Sequence, residues 1–298
     1  MSFLSTVPQK EYPLDQANTL VISGGGIKGI SALGALFYFE KTYEMKISSY
    51  VGTSVGAIIC TLLAIGYKSI EIKYHIEKQK FFNDIQKLQM HKLLNGQGIL
   101  PWQIISHHLE KMIRDKVGYI PTFRDIKNRF GNHLTIVAFN VTDRRPEFFN
   151  VDTHPNLSVI EAIRMSANVP LLFDRCRYNG KEYLDGGLIC NYPIGYYHEA
   201  HHKILGINLG GENMVFGDEN YIQFLLAILS MPYNYHNPHR IEGCVQDLNI
   251  PSTASAFNFN LTEHQRKEMF NIGFQLAKTK FPQPEPIKTM PLKKSASV

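Results

Sequence analysis

Ser49-Tyr50-Val51-Gly52-Thr53-Ser54-Val55-Gly56-Ala57-Ile58-Ile59-Cys60-Thr61-Leu62-Leu63-Ala64 carries the reading of the fold. Ser49 to Val51 is strand-prone, Gly52 to Gly56 is a G-x-S-x-G turn, and Ala57 to Gly66 is an apolar segment long enough for a buried helix. Between a strand and a helix, such a turn presents its serine at a helix N-terminus. Upstream the same order occurs. Thr19-Leu20-Val21-Ile22-Ser23 is a short β-prone run that stops at Gly24-Gly25-Gly26, and Ile30, Leu33, Leu36, Phe37 and Phe39 then recur near helical spacing. Two successive strand–turn–helix units argue for a parallel sheet covered by helices.

Further out, residues 69–94 and 101–116 read as amphipathic helices interrupted by Asn95-Gly96-Gln97-Gly98. His133 to Val141 and Glu147 to Val151 flank the polar turn 142–146 as a hairpin, and Lys203 to Asn208 is one more apolar strand. Ser158 with Glu161, and Thr262 with Gln265, have the spacing of capping boxes that start helices. Tyr221 to Leu229 reads as helical and Met231 to Pro238 as a long connection or cap. The expected fold is α/β: a three-layer α/β/α unit with a mainly parallel central sheet. Its core spans 17–211 and includes a helical insertion at about 67–120. Cap or edge helices cover 212–281 on the same domain, and 282–298 is a mobile tail.

With 298 residues, 44% hydrophobic and 19% charged, the chain has the composition of a globular protein with one large core, not of a disordered or fibrous one. Cys60, Cys176, Cys190 and Cys244 form no C-x-x-C pair, so free thiols are expected and neither a zinc knuckle nor a disulfide framework. No H-E-x-x-H occurs, and no metal site is expected. The net charge of +5 favours anionic surfaces, but no run of five Lys/Arg and no nucleic-acid motif accompanies it, which speaks against nucleic acid. The opening residues lack a basic region followed by an apolar one, and the run Val55 to Gly66 is too short to span a bilayer. A soluble, cytoplasmic protein is expected.

Ser54 is the candidate nucleophile, with Gly52 and Gly56 as the residues that allow its turn. A serine needs a base, and Asp185, in Tyr183-Leu184-Asp185-Gly186-Gly187, follows a β-prone segment and precedes glycines that permit close approach. Gly24-Gly25-Gly26-Ile27-Lys28-Gly29 allows two readings. As G-x-G-x-x-G it suits a dinucleotide, with Glu44 roughly where a ribose-binding acid would stand. As an oxyanion hole, its consecutive N–H groups would converge on a carbonyl oxygen that becomes negative. Lys28, a cation in the first turn of a helix, opposes the macrodipole and points toward function. A conventional Ser-Asp-His esterase also remains open, because His198, His201 and His202 follow Asp185.

In this order, these pieces resemble the patatin-like phospholipase family. Gly24 to Gly29 is similar to its G-G-G-x-[RK]-G loop, Gly52 to Gly56 to its serine elbow, and Asp185-Gly186-Gly187 to its D-G-[GA] motif. Arg164 to Phe173 resembles the family's segment with serine, alanine, proline and phenylalanine before the acid. Asn191-Tyr192-Pro193 sits where the family often has an asparagine and a proline. The resemblance spans about residues 17–211. It implies a patatin-like fold and a lipid acyl hydrolase of phospholipase A type. Ser54 would be the nucleophile and Asp185 its partner in a two-member dyad, with N–H groups around Gly25 and Gly26 as the oxyanion hole. No calcium or organic cofactor is implied. The substrate class is phospholipid or another acyl lipid, reached by transient peripheral membrane contact, for which Tyr221 to Tyr235 and the Lys293-Lys294 tail are candidate faces. An activating protein partner is neither specified nor excluded.

Overall fold

The computed structural model describes residues 13–78, 81–85, 89–95, 97–197, 201–210, 245–251 and 256–283. Among them, eight strands form one sheet: β1 (Thr19–Ile22), β2 (Ser49–Thr53), β3 (His133–Asn140), β4 (Arg145–Phe149), β5 (Cys176–Tyr178), β6 (Lys181–Asp185), β7 (Ile204–Asn208) and β8 (Val245–Asn249). β3, β2, β1, β7 and β8 lie side by side, all parallel, while β4 and the hairpin β5–β6 are antiparallel additions to β3.

The strand registers explain how distant residues meet. Val137 pairs with Thr53 of β2 and Phe148 of β4, so β2 and β4 occupy opposite edges of β3. Ala138 pairs with Glu147 of β4 and Asp185 of β6, so β6 lies opposite β4, on the edge that β2 uses. β2 therefore ends at Thr53 where β6, running the other way, ends at Asp185. The two carboxyl ends meet at adjacent positions along β3.

The helices are α1 (Gly29–Thr42), α2 (Val55–Ala64), α3 (Ser69–Lys78), α4 (Phe81–Ile85), α5 (Trp102–Val117), α6 (Phe123–Phe130), α7 (Val159–Ser166), α8 (Gly187–Cys190) and α9 (Glu263–Lys280). Alternation along each strand sends side chains to both faces of the sheet. Leu20, Ile22, Tyr50, Leu134 and Ile136 face a large core shared with α1, α2, α5, α7 and α9. Val21, Val51 and Val137 face a smaller cluster that contains Tyr192 and Ile194, with Cys190 packed against it.

Three local expectations change. Among the described residues, the periodic stretch 69–94 is not one helix but holds α3, α4 and a 3-10 turn at Met90–Asn95, and Phe82 and Ile85 of α4 are both buried in the core. Ser158 is the N-cap of α7 but makes no side-chain capping bond; the Val159 N–H donates instead to the carbonyl of Pro121. Within 212–281, read as cap and edge helices, Val245–Asn249 is a strand that extends the parallel sheet beyond β7. The box at Thr262 and Gln265 is present and starts α9, whose far end is tied back through Tyr38 Oη donating to the Phe281 carbonyl at 2.6 Å. Cys60 and Cys176 are buried free thiols and Cys190 is half-buried; Cys244 lies outside the described residues. Among the described residues, no single helix is long and apolar enough to cross a membrane.

Candidate active site

β1, β2 and β7 end level, with Ile22 opposite Gly52 and Ile207. The loops after these strands therefore emerge together at the carboxyl edge, where open α/β sheets bind their ligands. Ser54 follows β2 as the N-cap of α2, with φ 54° and ψ −121°, a conformation that costs an L residue roughly 1–3 kcal/mol unless its surroundings hold it. The glycine at 56 lets α2 lie directly on the backbone of β1. Ser54 Oγ donates to Asp185 Oδ2 at 2.6 Å, the length of a charge-assisted bond. The other carboxylate oxygen accepts the Gly187 N–H at 2.7 Å, at the start of α8. Ser54 is 8% and Asp185 1% exposed, so the pair sits in a medium where such bonds are strong.

The glycine loop stands against this pair. A methyl placed on Gly24 would lie 3.3 Å from Ser54 Cβ. The Gly24 N–H is engaged by the Asn191 carbonyl at 3.1 Å, the Lys28 N–H by Gly25, and the Gly29 N–H by Gly26 and Ile27. Gly25 and Gly26 have N–H groups with no acceptor among the described residues. Gly26 has φ 54°, and the Ile27 N–H is tied to the Ala256 carbonyl at 2.9 Å, which braces the loop from the C-terminal segment. Lys28 is the half-buried N-cap of α1, and desolvation lowers its pKa below the usual lysine value.

Ser54 opens onto a cavity of about 140 Å³ whose walls are almost wholly hydrocarbon. Val55 and Ile58 of α2, Leu33 of α1, Phe82 of α4, Trp102 of α5 and Phe257 contribute to it. Thus the insertion between α2 and β3 forms much of the wall beside the serine. His108 also lines the cavity, with Nε2 3.2 Å from Asp84 Oδ2.

The rival readings of the sequence separate in space. Glu44, in the loop that enters β2, is exposed and its N–H donates to Asp15 Oδ1 ahead of β1, at the opposite end of the strands from the glycine loop. It cannot reach a ribose held there. His202 Nδ1 lies 2.9 Å from Thr19 Oγ1 and the His201 carbonyl accepts from Asn18 Nδ2. Both therefore flank the start of β1, the wrong end for a base. His198, Tyr221 to Tyr235 and Lys293-Lys294 lie outside the described residues. Asn191, which the sequence marked through the Asn-Tyr-Pro that resembles the family's asparagine and proline, is 2% exposed, and its carbonyl holds the Gly24 N–H.

Comparison with known proteins agrees with this architecture. The chain is similar in fold to VipD from Legionella pneumophila (TM-score 0.55, 17% identity, 89% of this chain and 66% of that one). It is likewise similar to the heterodimeric ExoU–SpcU complex from the type III secretion system of Pseudomonas aeruginosa (TM-score 0.53, 17% identity, 89% and 51%). These define a class: a mixed α/β protein with a central sheet flanked by helices.

The sequence profile of patatin-like phospholipase matches residues 20–197, and the chain belongs to that family. A probable lipid hydrolase of Invertebrate iridescent virus 6 is 34% identical over 191 residues, 62% of this chain and 64% of that protein. An uncharacterized protein of Acanthamoeba polyphaga mimivirus is 30% identical over 289 residues, 90% of this chain and 95% of that protein. The chain thus spans just under two thirds of the first relative and nearly all of the second.

Proposed function

We propose that this protein cleaves fatty-acyl ester bonds of lipids, in the manner of a phospholipase A, through Ser54 and Asp185. The observation that carries the reading is the 2.6 Å bond from Ser54 Oγ to a buried carboxylate at the mouth of an apolar cavity. The acyl chain occupies that cavity, where its methylenes leave water at about 0.8 kcal/mol each. Its carbonyl carbon then stands at Ser54. Asp185 accepts the serine proton as Oγ attacks, and the Gly25 and Gly26 N–H groups receive the negative carbonyl oxygen. Collapse expels the alcohol, which takes the proton back from Asp185. Water adds to the acyl-enzyme by the same route in reverse and releases the fatty acid.

The names of the relatives support lipid as the substrate, and the almost wholly hydrocarbon wall supports the acyl chain as the part recognised first. Access to a bilayer would be by transient surface contact, consistent with the net charge of +5. The catalytic unit in this reading is 17–211, completed by the C-terminal segment that braces Gly26.

Product analysis by mass spectrometry on mixed phospholipids, galactolipids and triacylglycerols tests it. Wild-type protein should release free fatty acid, and Ser54→Ala and Asp185→Asn should each abolish release while melting near the wild-type temperature. Undiminished hydrolysis by Ser54→Ala would remove the assignment.

A further inference from the structure

We infer that Ser166, the last residue of α7, is a positioning residue that holds the nucleophile turn and the acid-bearing chain in register. The inference rests on the reaction proposed above. Ser166 is fully buried. Its Oγ accepts the N–H of Ser54 at 2.9 Å, 112 positions away in sequence. The same Oγ donates to the Val137 carbonyl at 2.5 Å on β3. Its own carbonyl accepts the N–H of Gly186 at 3.0 Å, the residue after the acid. Two residues on, the Asn168 carbonyl accepts the N–H of Asp185 at 2.9 Å, and Asn168 Nδ2 donates to the Tyr183 carbonyl at 2.8 Å. The end of one helix therefore grips both members of the pair.

A serine near the end of a helix ordinarily turns its hydroxyl back to the carbonyl four residues earlier. This hydroxyl instead bridges two other segments, and its proton is fixed. The Ser54 N–H can only donate, so Oγ accepts there, and its hydrogen must go to Val137. The Val137 carbonyl belongs to the strand position that pairs with Thr53, so the bridge is braced by the sheet beside the turn it holds. Ser54 has φ 54°, a conformation that relaxes unless something holds its peptide in place. The orientation of that peptide sets where Oγ points between Asp185 and the glycine amides. Ser166 does not line the cavity, although its neighbour Ala167 does, so its loss should leave lipid binding intact.

The test is kinetic. Ser166→Ala should lower kcat on a short-chain ester by roughly 10- to 100-fold, the scale of a misaligned reactive group, with KM within about twofold. The rate of fluorophosphonate labelling should fall by the same factor, and Ser166→Thr, which keeps the hydroxyl, should recover most of it. Ile163→Ala, on the same helix and buried but without such bonds, serves as the control: it should lose melting temperature without the kcat effect. Native-state hydrogen exchange of the wild-type protein adds a reading that needs no variant, because the Ser54 amide should be as protected as the amides of β2. Unchanged kcat in Ser166→Ala, an equal kcat loss in Ile163→Ala, or a fast-exchanging Ser54 amide would each overturn the inference. Full activity in Ser166→Ala beside an inactive Ser54→Ala removes only the positioning role; activity in Ser54→Ala removes the reaction itself.

Discussion

Replacing Gly56 by alanine sets helix propensity against packing. Propensity alone makes the exchange favourable by about 1 kcal/mol within α2. The structure reverses the sign. A methyl on Gly56 would meet the Ile22 carbonyl oxygen, 2.8 Å from the carbon of that group and 2.6 Å from the Ser23 carbonyl oxygen. These are backbone atoms at the end of β1, which is paired with β2 on one side and β7 on the other, so they cannot swing aside. α2 must retreat by roughly half an ångström, and overpacking of this kind costs about 3 kcal/mol at the upper end of its usual range. After the propensity gain, a net loss of about 2 kcal/mol remains. For a chain of this size that is a fall of roughly 3 °C in melting temperature.

The same retreat carries Ser54 away from the glycine loop, and turnover should drop on the order of 100-fold. Gly118→Ala is the matched comparison. Gly118 has φ 93° with nothing within 4 Å of an added methyl, so it should lose only about 1 kcal/mol and keep full activity. Thermal melts followed by circular dichroism, paired with ester hydrolysis rates, read both effects. A Gly56→Ala protein that melts at or above the wild-type temperature with normal turnover would refute the packing described for the turn.

Lys28→Met should stabilise the protein near neutral pH, because burial disfavours the charged lysine and lowers its folded pKa. The unfolded chain then binds more protons than the folded one between the lowered pKa and about 10.5, so wild-type stability rises with pH there and the variant's advantage shrinks. Denaturant titrations of both proteins at pH 7 and pH 10 check the sign. Thr262→Ala removes the side chain that accepts the Gln265 N–H at 3.2 Å and should lose about 1 kcal/mol, seen as a lower urea midpoint with turnover unchanged.

Much of the fold was readable because the deciding signals are local. A β-prone run ending in glycines, followed by small and apolar residues at helical spacing, gave β1, α1, β2 and α2 within a few residues of their limits. Periodicity could not show that 69–94 divides into separate elements, because apolar spacing continues through the whole stretch. β8 was missed because Val245-Gln246-Asp247-Leu248-Asn249 is polar enough for an edge strand and lacks the apolar run that marked β7.

The candidate residues of the site were legible one by one, but their meeting was not. It depends on β2 and β6 sharing one edge of β3, a matter of strand order that no local pattern encodes. The roles of Ser166 and Asn191 were hidden for a similar reason, since both act through backbone groups far away in sequence. Nor could spacing remove Glu44, His201 or His202; their place at the other end of the strands does so.

The proposed reaction stands on activation of Ser54 by Asp185. Timed labelling with a fluorophosphonate, followed by peptide mass spectrometry, tests it most directly. One adduct should form, on the peptide that contains Ser54, and at least about 100-fold more slowly in Asp185→Asn, in which the amide can no longer accept the proton. An adduct on another residue, or an unchanged rate at Ser54 in Asp185→Asn, would contradict it.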